Sequence, residues 1–354
     1  MRKWILGSLG AIVLVLAGGG WFVYDNFLKR VAPRDDPASL AELVDSWADL
    51  GEVPGVIMHI EKNGLPVFSR AAGTLTRGGD LPATVASPFH IASVGKLFTA
   101  ATILRLAERG ELDLDAPISD HLDHKTTQRL VVIDDEDLSA TVTARQLLAH
   151  RGGLANTDED LAFIISILGS PQAERTPHDL LAHARKAGGV ARPGEMESYA
   201  SPGYFLLGLL IEAVSEKPYH QAVRDEIFTP LEMNETFEAN HEWIREPTEL
   251  HHYFGSYDLW TFDPSFEFAD GGFVTTATDL AKFGRAFMHG ELFTDPDTYN
   301  QMIAPPADVD PLEPHFYQGL GPLVWRDQND VDMLMHMGFW GVALLMAPEE
   351  DVVI

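Results

Sequence analysis

Apolar residues first recur at helical spacing at Leu40, Leu43, Val44, Trp47 and Leu50, which predicts an amphipathic helix opening the folded part of the chain. The period then changes. Gly55-Val56-Ile57-Met58-His59-Ile60, an Asn63-Gly64 pair and Pro66-Val67-Phe68-Ser69 predict a β-hairpin, because Asn-Gly suits a two-residue turn. Phe89-His90-Ile91-Ala92 leads into a helix with Phe98, Ile103, Leu104 and Leu106 turned inward and Gly110 as its stop. From there to about residue 265 the pattern is mostly helical with long loops, and 202–214 is the clearest buried helix. Strand character returns at Gly272-Phe273-Val274-Thr275. Thr276 and Asp279 then read as a capping box for the helix Ala277–Met288, with Gly290 at its end. Residues 333–337 and 342–346 read as two strands around a bend at 338–341. The expected fold is therefore α+β: an antiparallel sheet flanked by helices, its parts at about 38–92 and 270–354, with a large mostly helical insertion at about 93–269.

The first residues form a separate unit. Arg2 and Lys3 precede an uncharged run at 4–24, about 21 residues and long enough to span a bilayer. Residues 1–24 read as a signal anchor that exports the rest of the chain, because positive charge favours the cytoplasmic side. A cleaved signal peptide is the alternative, with Ala17-Gly18-Gly19 as small residues for cleavage. Residues 25–37 read as a linker and 38–354 as the folded domain. The expected location is membrane-anchored and extracytoplasmic.

Composition removes several classes of function. The chain has no cysteine, so thiol catalysis, disulfides and cysteine-ligated metals are excluded. With 53 acidic and 25 basic residues the formal charge is −28, and such a surface repels phosphate backbones, which argues against nucleic-acid partners. The run Asp134-Asp135-Glu136-Asp137 reads as a solvated loop rather than a calcium site. The pairs His121/His124 and His251/His252 have no acidic residue at metal-ligand spacing and read as surface or satisfied histidines. Neither a Gly-x-Ser-x-Gly elbow nor a His-Glu-x-x-His zinc signature occurs. No metal or cofactor is expected.

The candidate chemistry centres on Ser93-Val94-Gly95-Lys96 at the mouth of a helix. A lysine three residues after a serine returns to the same helical face, within reach of its hydroxyl. The helix N-terminus and burial are both expected to lower the lysine pKa and free it as a base. Backbone N–H groups at the same turn can face a developing oxyanion. A serine that merely caps the helix, beside a solvated lysine, is the bland alternative. Three more segments bear on the choice: Gln146-Leu147-Leu148-Ala149-His150 with Gly153-Leu154, Pro193-Gly194 followed by Tyr199-Ala200-Ser201, and His336-Met337-Gly338.

With these landmarks in order, the chain resembles the serine β-lactamase-related family, which includes class C β-lactamases, serine D-alanyl-D-alanine peptidases and related esterases. The resemblance runs from about residue 38 to the last residue and implies a β-lactamase/transpeptidase-like fold. It implies Ser93 as the acyl-accepting nucleophile and Lys96 as its proton acceptor. Tyr199 would share base duty and protonate the leaving group, for which Lys96 and His336 should hold down its phenol pKa. His336 would support this network and the polar end of the substrate. The backbone N–H groups of Ser93 and Phe339 would form the oxyanion hole. His150 reads as a structural histidine bonding loop backbone.

Two departures bear on substrate. Ser201 stands where the family often has Asn, and Met337 where β-lactam-processing members usually have Thr or Ser. With Gly338 these are the candidate substrate-binding residues. Both changes remove polar recognition of a carboxylated amide. The expected activity is a serine hydrolase forming an acyl-enzyme on a small-molecule or peptide ester or amide. A β-lactamase or D-alanyl-D-alanine carboxypeptidase is the alternative. A non-catalytic cell-wall-peptide-binding module on the same fold is the alternative of another class. The closing Asp351-Val352-Val353-Ile354 reads as the start of a strand and suggests a truncated chain with a partly uncovered apolar sheet face. Oligomeric state has no signal in the sequence.

Overall fold

The computed structural model describes residues 37–49, 53–243, 245, 247–308, 315–326 and 332–354. The expected anchor at 1–24, and the linker apart from Pro37, lie outside the described residues. Among the described residues no helix is long and apolar enough to cross a membrane.

Among the described residues, seven helices have eight residues or more: α1 (Pro37–Asp49), α2 (Lys96–Glu108), α3 (Leu161–Gly169), α4 (Pro177–Ala187), α5 (Ser201–Ser215), α6 (Ala277–Met288) and α7 (Pro296–Ile303). The principal strands are β1 (Gly55–Lys62), β2 (Leu65–Gly73), β3 (Phe89–His90), β4 (Phe237–Glu238), β5 (Phe273–Thr275), β6 (His315–Gln318), β7 (Leu323–Arg326), β8 (Asp332–Gly338), β9 (Val342–Ala347) and β10 (Val352–Val353). The main sheet has seven antiparallel strands in the order β6-β7-β8-β9-β10-β1-β2, so both ends of the described chain build it. A second sheet, β3-β5-β4, ties the segment leading into Ser93 to the chain before α6.

The α+β sheet-and-helix architecture read from the apolar periods is present. Asn63 and Gly64 both have positive φ (53° and 68°), the geometry a two-residue hairpin turn needs, and they join β1 to β2 as expected. The amphipathic α1 buries Leu40 and Val44 against Met58 and Ile60 on one sheet face. α6 covers the other face, with Gly284 close to Leu344, Met346 and Val353. Between sheet and insertion, Phe98 of α2 meets Phe228, Phe273 and Phe283 edge-on, with ring centroids 5.1, 5.1 and 4.6 Å away. Such pairs add about 1 kcal/mol each beyond their buried area, which holds the start of α2 firmly against β5.

Two local expectations change. The capping box of α6 is only half made: Thr276 caps the Asp279 N–H, but the buried Asp279 carboxylate accepts instead from the Glu235 N–H, Thr236 and Lys282. Asp279 is thus drawn to the approach of β4 rather than back to its own helix start. The acidic run is exposed, as a solvated loop is, but it is locally paired. Asp134 and Asp135 form the exposed turn of a tiny hairpin between Val132–Ile133 and Glu136–Asp137.

β10 pairs with β1 only at Glu61 and Lys62, and beyond it the edges of β1 and β9 flank an apolar groove of about 660 Å³ lined by Trp47, Val56, Met58, Leu280 and Leu344. Ser93 does not line this groove.

Candidate active site

Ser93 lies in a 3₁₀ turn, Ala92–Gly95, that runs directly into α2. The turn is held from two sides. A Cβ on Gly271 would sit 2.7 Å from the Ala92 carbonyl carbon, and one on Gly338 would sit 2.2 Å from the Ile91 oxygen. Only glycine allows both backbones to come that close. Ala92 has φ of +45°, a costly conformation for a residue with a side chain. The strained turn aims the next residue, Ser93, at a pocket. That pocket of about 140 Å³ is walled by Phe163 and Ile167 of α3, by Phe254 and Phe266, and by Phe339 and Trp340 from the β8–β9 bend. Asp158, Glu267 and Asp270 also reach it, and among the described residues no basic one lines it.

Lys96 is fully buried. Its ammonium donates to Ser93 Oγ at 3.0 Å, to Ser201 Oγ at 3.4 Å, and to both the backbone O and Oδ2 of Asp270 at 3.1 Å. Ser201, at the start of α5, donates to Asp158 Oδ2 at 2.7 Å. Tyr199 interacts with both Lys96 and Ser93 through its hydroxyl, although the residue as a whole is 39% exposed. Its ring packs at a 36° tilt on His150, with centroids 4.3 Å apart, and the His150 Nδ1 accepts the Ala200 N–H at 3.2 Å. His150 therefore has the backbone-bonding place expected of it. It also buttresses the tyrosine.

Of the residues singled out in the sequence, Ser93, Lys96, Tyr199 and Ser201 converge. His336, on β8, is close enough to feel the Lys96 charge, and its Nδ1 donates to the Met337 carbonyl at 3.0 Å. Phe339 lines the pocket. Met337 and Gly338 do not line it; Gly338 acts instead as the close-packing point against Ile91.

The protonation pattern differs from the one expected. Burial by itself lowers the Lys96 pKa, but the Asp270 carboxylate, with Tyr199 and Asp158, outweighs it and raises the pKa above the ordinary value. Burial raises the Tyr199 phenol, and the Lys96 charge does not overcome that effect. Burial and the Lys96 charge push His336 down to about 3, so it is neutral and adds no positive charge. Burial pushes Asp270 above the usual carboxylate range despite Lys96. At neutral pH the centre thus holds an ammonium, a neutral phenol and a neutral imidazole.

Behind the pocket, buried His90 has its ring nitrogens 3.1 and 3.7 Å from carboxylate oxygens of Glu249 and Glu267. Glu249 also accepts from the indoles of Trp243 and Trp260, and Glu267 from that of Trp340. Burial lowers the His90 pKa, but the two carboxylates win and raise it to about 9. A folded-state pKa above the unfolded value of about 6.5 contributes stability that is complete below about pH 6.5 and lost as pH rises through 9, roughly 3 kcal/mol in all. Urea unfolding between about pH 6 and pH 9.5 should show this loss in the wild type and much less of it in His90→Gln. Equal slopes in the two proteins would refute it.

Among the described residues, His220, Glu238 and His241 bring one ligand atom each within 4.8 Å of the others. The two rings are stacked at 4.8 Å with an interplanar angle of 13°. Each imidazole binds a metal in its own ring plane, and rings stacked face to face in this way lie in separate planes, so their nitrogens do not converge on one ion in this arrangement. His121 and His124 are exposed, and His251 is satisfied by Asp258 at 2.8 Å.

Residues 40–354 match the family model for beta-lactamase. The chain belongs to the beta-lactamase family. This beta-lactamase family member is 27% identical to penicillin-binding protein 4 of Amycolatopsis lactamdurans over 269 residues, which cover 74% of this chain and 66% of that protein. It spans less than two-thirds of the length of the first curated relatives it matches, 66% and 38%. Among solved structures it resembles a D-stereospecific amidohydrolase from Streptomyces sp. (25% identity, TM-score 0.75, covering 90% of this chain and 92% of that one). It also resembles an octameric penicillin-binding protein homologue from Pyrococcus abyssi (25% identity, TM-score 0.76, covering 90% and 72%). The family is of the serine-hydrolase type, and these neighbours are penicillin-binding proteins and an amidohydrolase.

Asp158, Glu267 and Asp270 are the site residues missed in the sequence. Asp270 is 174 positions from Lys96, and Asp158 is one of three consecutive acidic residues, Asp158-Glu159-Asp160. The signal available was a carboxylate directly before Gly271-Gly272, where the chain turns into β5.

Proposed function

We propose that this protein is a serine hydrolase that forms an acyl-enzyme on Ser93 from an ester or amide with an apolar acyl group. The contact that carries this reading is the buried Lys96 Nζ, 3.0 Å from Ser93 Oγ at the floor of an apolar pocket. Ser93 Oγ attacks the carbonyl carbon and its proton passes to Lys96 once that ammonium has given up a proton to a neighbouring base, and the tetrahedral oxyanion is met by the backbone N–H groups of Ser93 and Phe339. As the intermediate collapses, Tyr199, a neutral phenol, gives its proton to the leaving atom. Water then enters and releases the acid by the same steps in reverse. His336 acts as a neutral prop for this group. The uncharged run at 4–24 supports an extracytoplasmic enzyme held to a membrane.

A free carboxylate on the substrate finds little to bind. The pocket carries three acidic groups, Ser201 is tied to Asp158, and Met337 offers no hydroxyl. Apolar and aromatic acyl esters and amides should therefore be turned over at least ~100-fold faster than a chromogenic cephalosporin, since each lost pairing of a charged group costs a few kcal/mol. Incubation with short-chain and aromatic esters, amino-acid amides, the cephalosporin and a D-alanyl-D-alanine peptide, followed by mass spectrometry, should find the acyl group on the peptide containing Ser93. Preferred turnover of the cephalosporin or the D-alanyl-D-alanine peptide would shift the assignment to β-lactamase or carboxypeptidase. No adduct and no turnover would favour a binding module.

A further inference from the structure

Lys96 presents a problem of proton counting. An ammonium has three N–H donors and no lone pair, so it cannot receive the proton of Ser93 until it has given one up. Its four partners within 3.4 Å are two serine hydroxyls, a backbone carbonyl and the Asp270 carboxylate. Only the last is a base. Of the other titratable groups near Lys96, Tyr199 and Tyr204 are neutral phenols, burial and the Lys96 charge hold His150 and His336 well below their ordinary values, and Asp158 meets Lys96 through the Ser201 hydroxyl, to which both are bonded.

We infer that Asp270 is the proton-holding partner of Lys96, and that Ser93 is activated through the pair rather than by Lys96 alone. This inference rests on the assignment of Ser93 and Lys96 proposed above. Asp270 acts through Lys96 and positions its proton; it does not touch the substrate carbonyl. In acylation a proton passes from Lys96 Nζ to Asp270 Oδ2, the Ser93 proton passes to the lone pair thus freed on Nζ, and Oγ bonds to the carbonyl carbon. The site then holds an ammonium, a carboxylic acid and a tetrahedral oxyanion. On collapse the bond to the leaving atom breaks and Tyr199 protonates that atom. Tyr199 is refilled from Lys96, and Lys96 from Asp270. The net movement is one proton from Ser93 to the leaving group, and every residue returns to its starting state.

The surroundings of Asp270 suit this duty. It is 9% exposed and lies between Gly271, against the nucleophile turn, and Glu267, which holds Trp340. Lys96 faces it from α2, Ser201 from α5, Asp158 from the segment before α3, and Tyr219 from the helix after α5. Burial and the two neighbouring carboxylates, Asp158 and Glu267, make the acid form accessible near neutrality, while Lys96 and Ser201 favour the ion. A carboxylate in water, several pKa units more acidic, would be a poor proton store.

The test is the pH profile of kcat/KM for a p-nitrophenyl ester in the wild type and in Asp270→Asn, which keeps the shape and one acceptor oxygen. The wild type should show an acid limb between about pH 5 and pH 9. Asp270→Asn should lose about 10²- to 10⁴-fold in kcat with KM changed by less than about threefold, and should lose that limb. Activity within about threefold of wild type, activity above wild type, or a loss with the limb unmoved would each overturn the inference; the last is what a structural role gives. If Asp270→Asn does not fold, the wild type still decides. The rate at which a fluorophosphonate labels Ser93 should rise over the same pH range, and a flat rate overturns the inference. Ser93→Ala separates the two levels: full turnover in that variant ends the Ser93 assignment, whereas an inactive Ser93→Ala beside a fully active Asp270→Asn ends only the role of Asp270.

Discussion

Ser93→Ala should lower kcat/KM for a p-nitrophenyl ester by about four to six orders of magnitude, with the thermal midpoint within a few degrees of wild type. The size of the loss follows from what remains. Lys96 keeps Ser201 and both Asp270 oxygens as partners, so the buried charge stays compensated and the fold is not at risk. Ser201 Oγ is 3.4 Å from the same ammonium, but it is fully buried, already donates to Asp158, and does not line the pocket. It is no substitute nucleophile. Activity within tenfold of wild type in a folded Ser93→Ala protein would remove the nucleophile assignment.

Lys96→Met should be damaging in two separable ways. Turnover should fall by about three orders of magnitude, because no group then receives the Ser93 proton. Stability should fall as well, since Asp270 is left buried without its cation, a loss of roughly 3–5 kcal/mol when an ion pair is broken from one side. The stability loss should ease as pH falls. A buried carboxyl with a raised pKa binds a proton more readily in the folded state than in the unfolded chain, so acid favours the fold. The double variant Lys96→Met/Asp270→Asn should recover most of the stability and none of the activity. Denaturant titrations at two pH values check the first part and ester turnover checks the second. A double variant no more stable than Lys96→Met would show that the pair does not carry the effect.

The residues that announce themselves in the sequence are those whose spacing is local. Ser93 and Lys96 are three apart, the Asn63-Gly64 turn defines its own hairpin, and the apolar rows of α2, α5 and α6 follow one helical period each. Those readings rest on backbone geometry that a short segment determines by itself. The electrostatics of the centre are not local. Burial and the nearby helix start argue for a depressed lysine pKa, and the opposite result comes chiefly from Asp270, delivered by a distant segment, with Tyr199 and Asp158 adding to it. The same holds for Tyr199 and His336, whose proton states depend on how deeply neighbouring elements enclose them. The half-made capping box of α6 is a smaller case, in which Asp279 fits its motif but finds better partners at Glu235 and Thr236. The anchor read from residues 1–24 concerns a part of the chain outside the described residues.

The contact between Lys96 and Asp270 closes a loop of 174 residues, and the one between Lys96 and Ser201 a loop of 105. Closing such loops carries an entropic cost that only native tertiary packing offsets, so these contacts are among the last that a refolding chain can secure. Helix content can return while the centre is still unassembled. On the proposed function, recovered turnover should therefore report the completion of the whole domain, and an enzyme assay during refolding should time the final docking of helical insertion and sheet rather than the growth of either part.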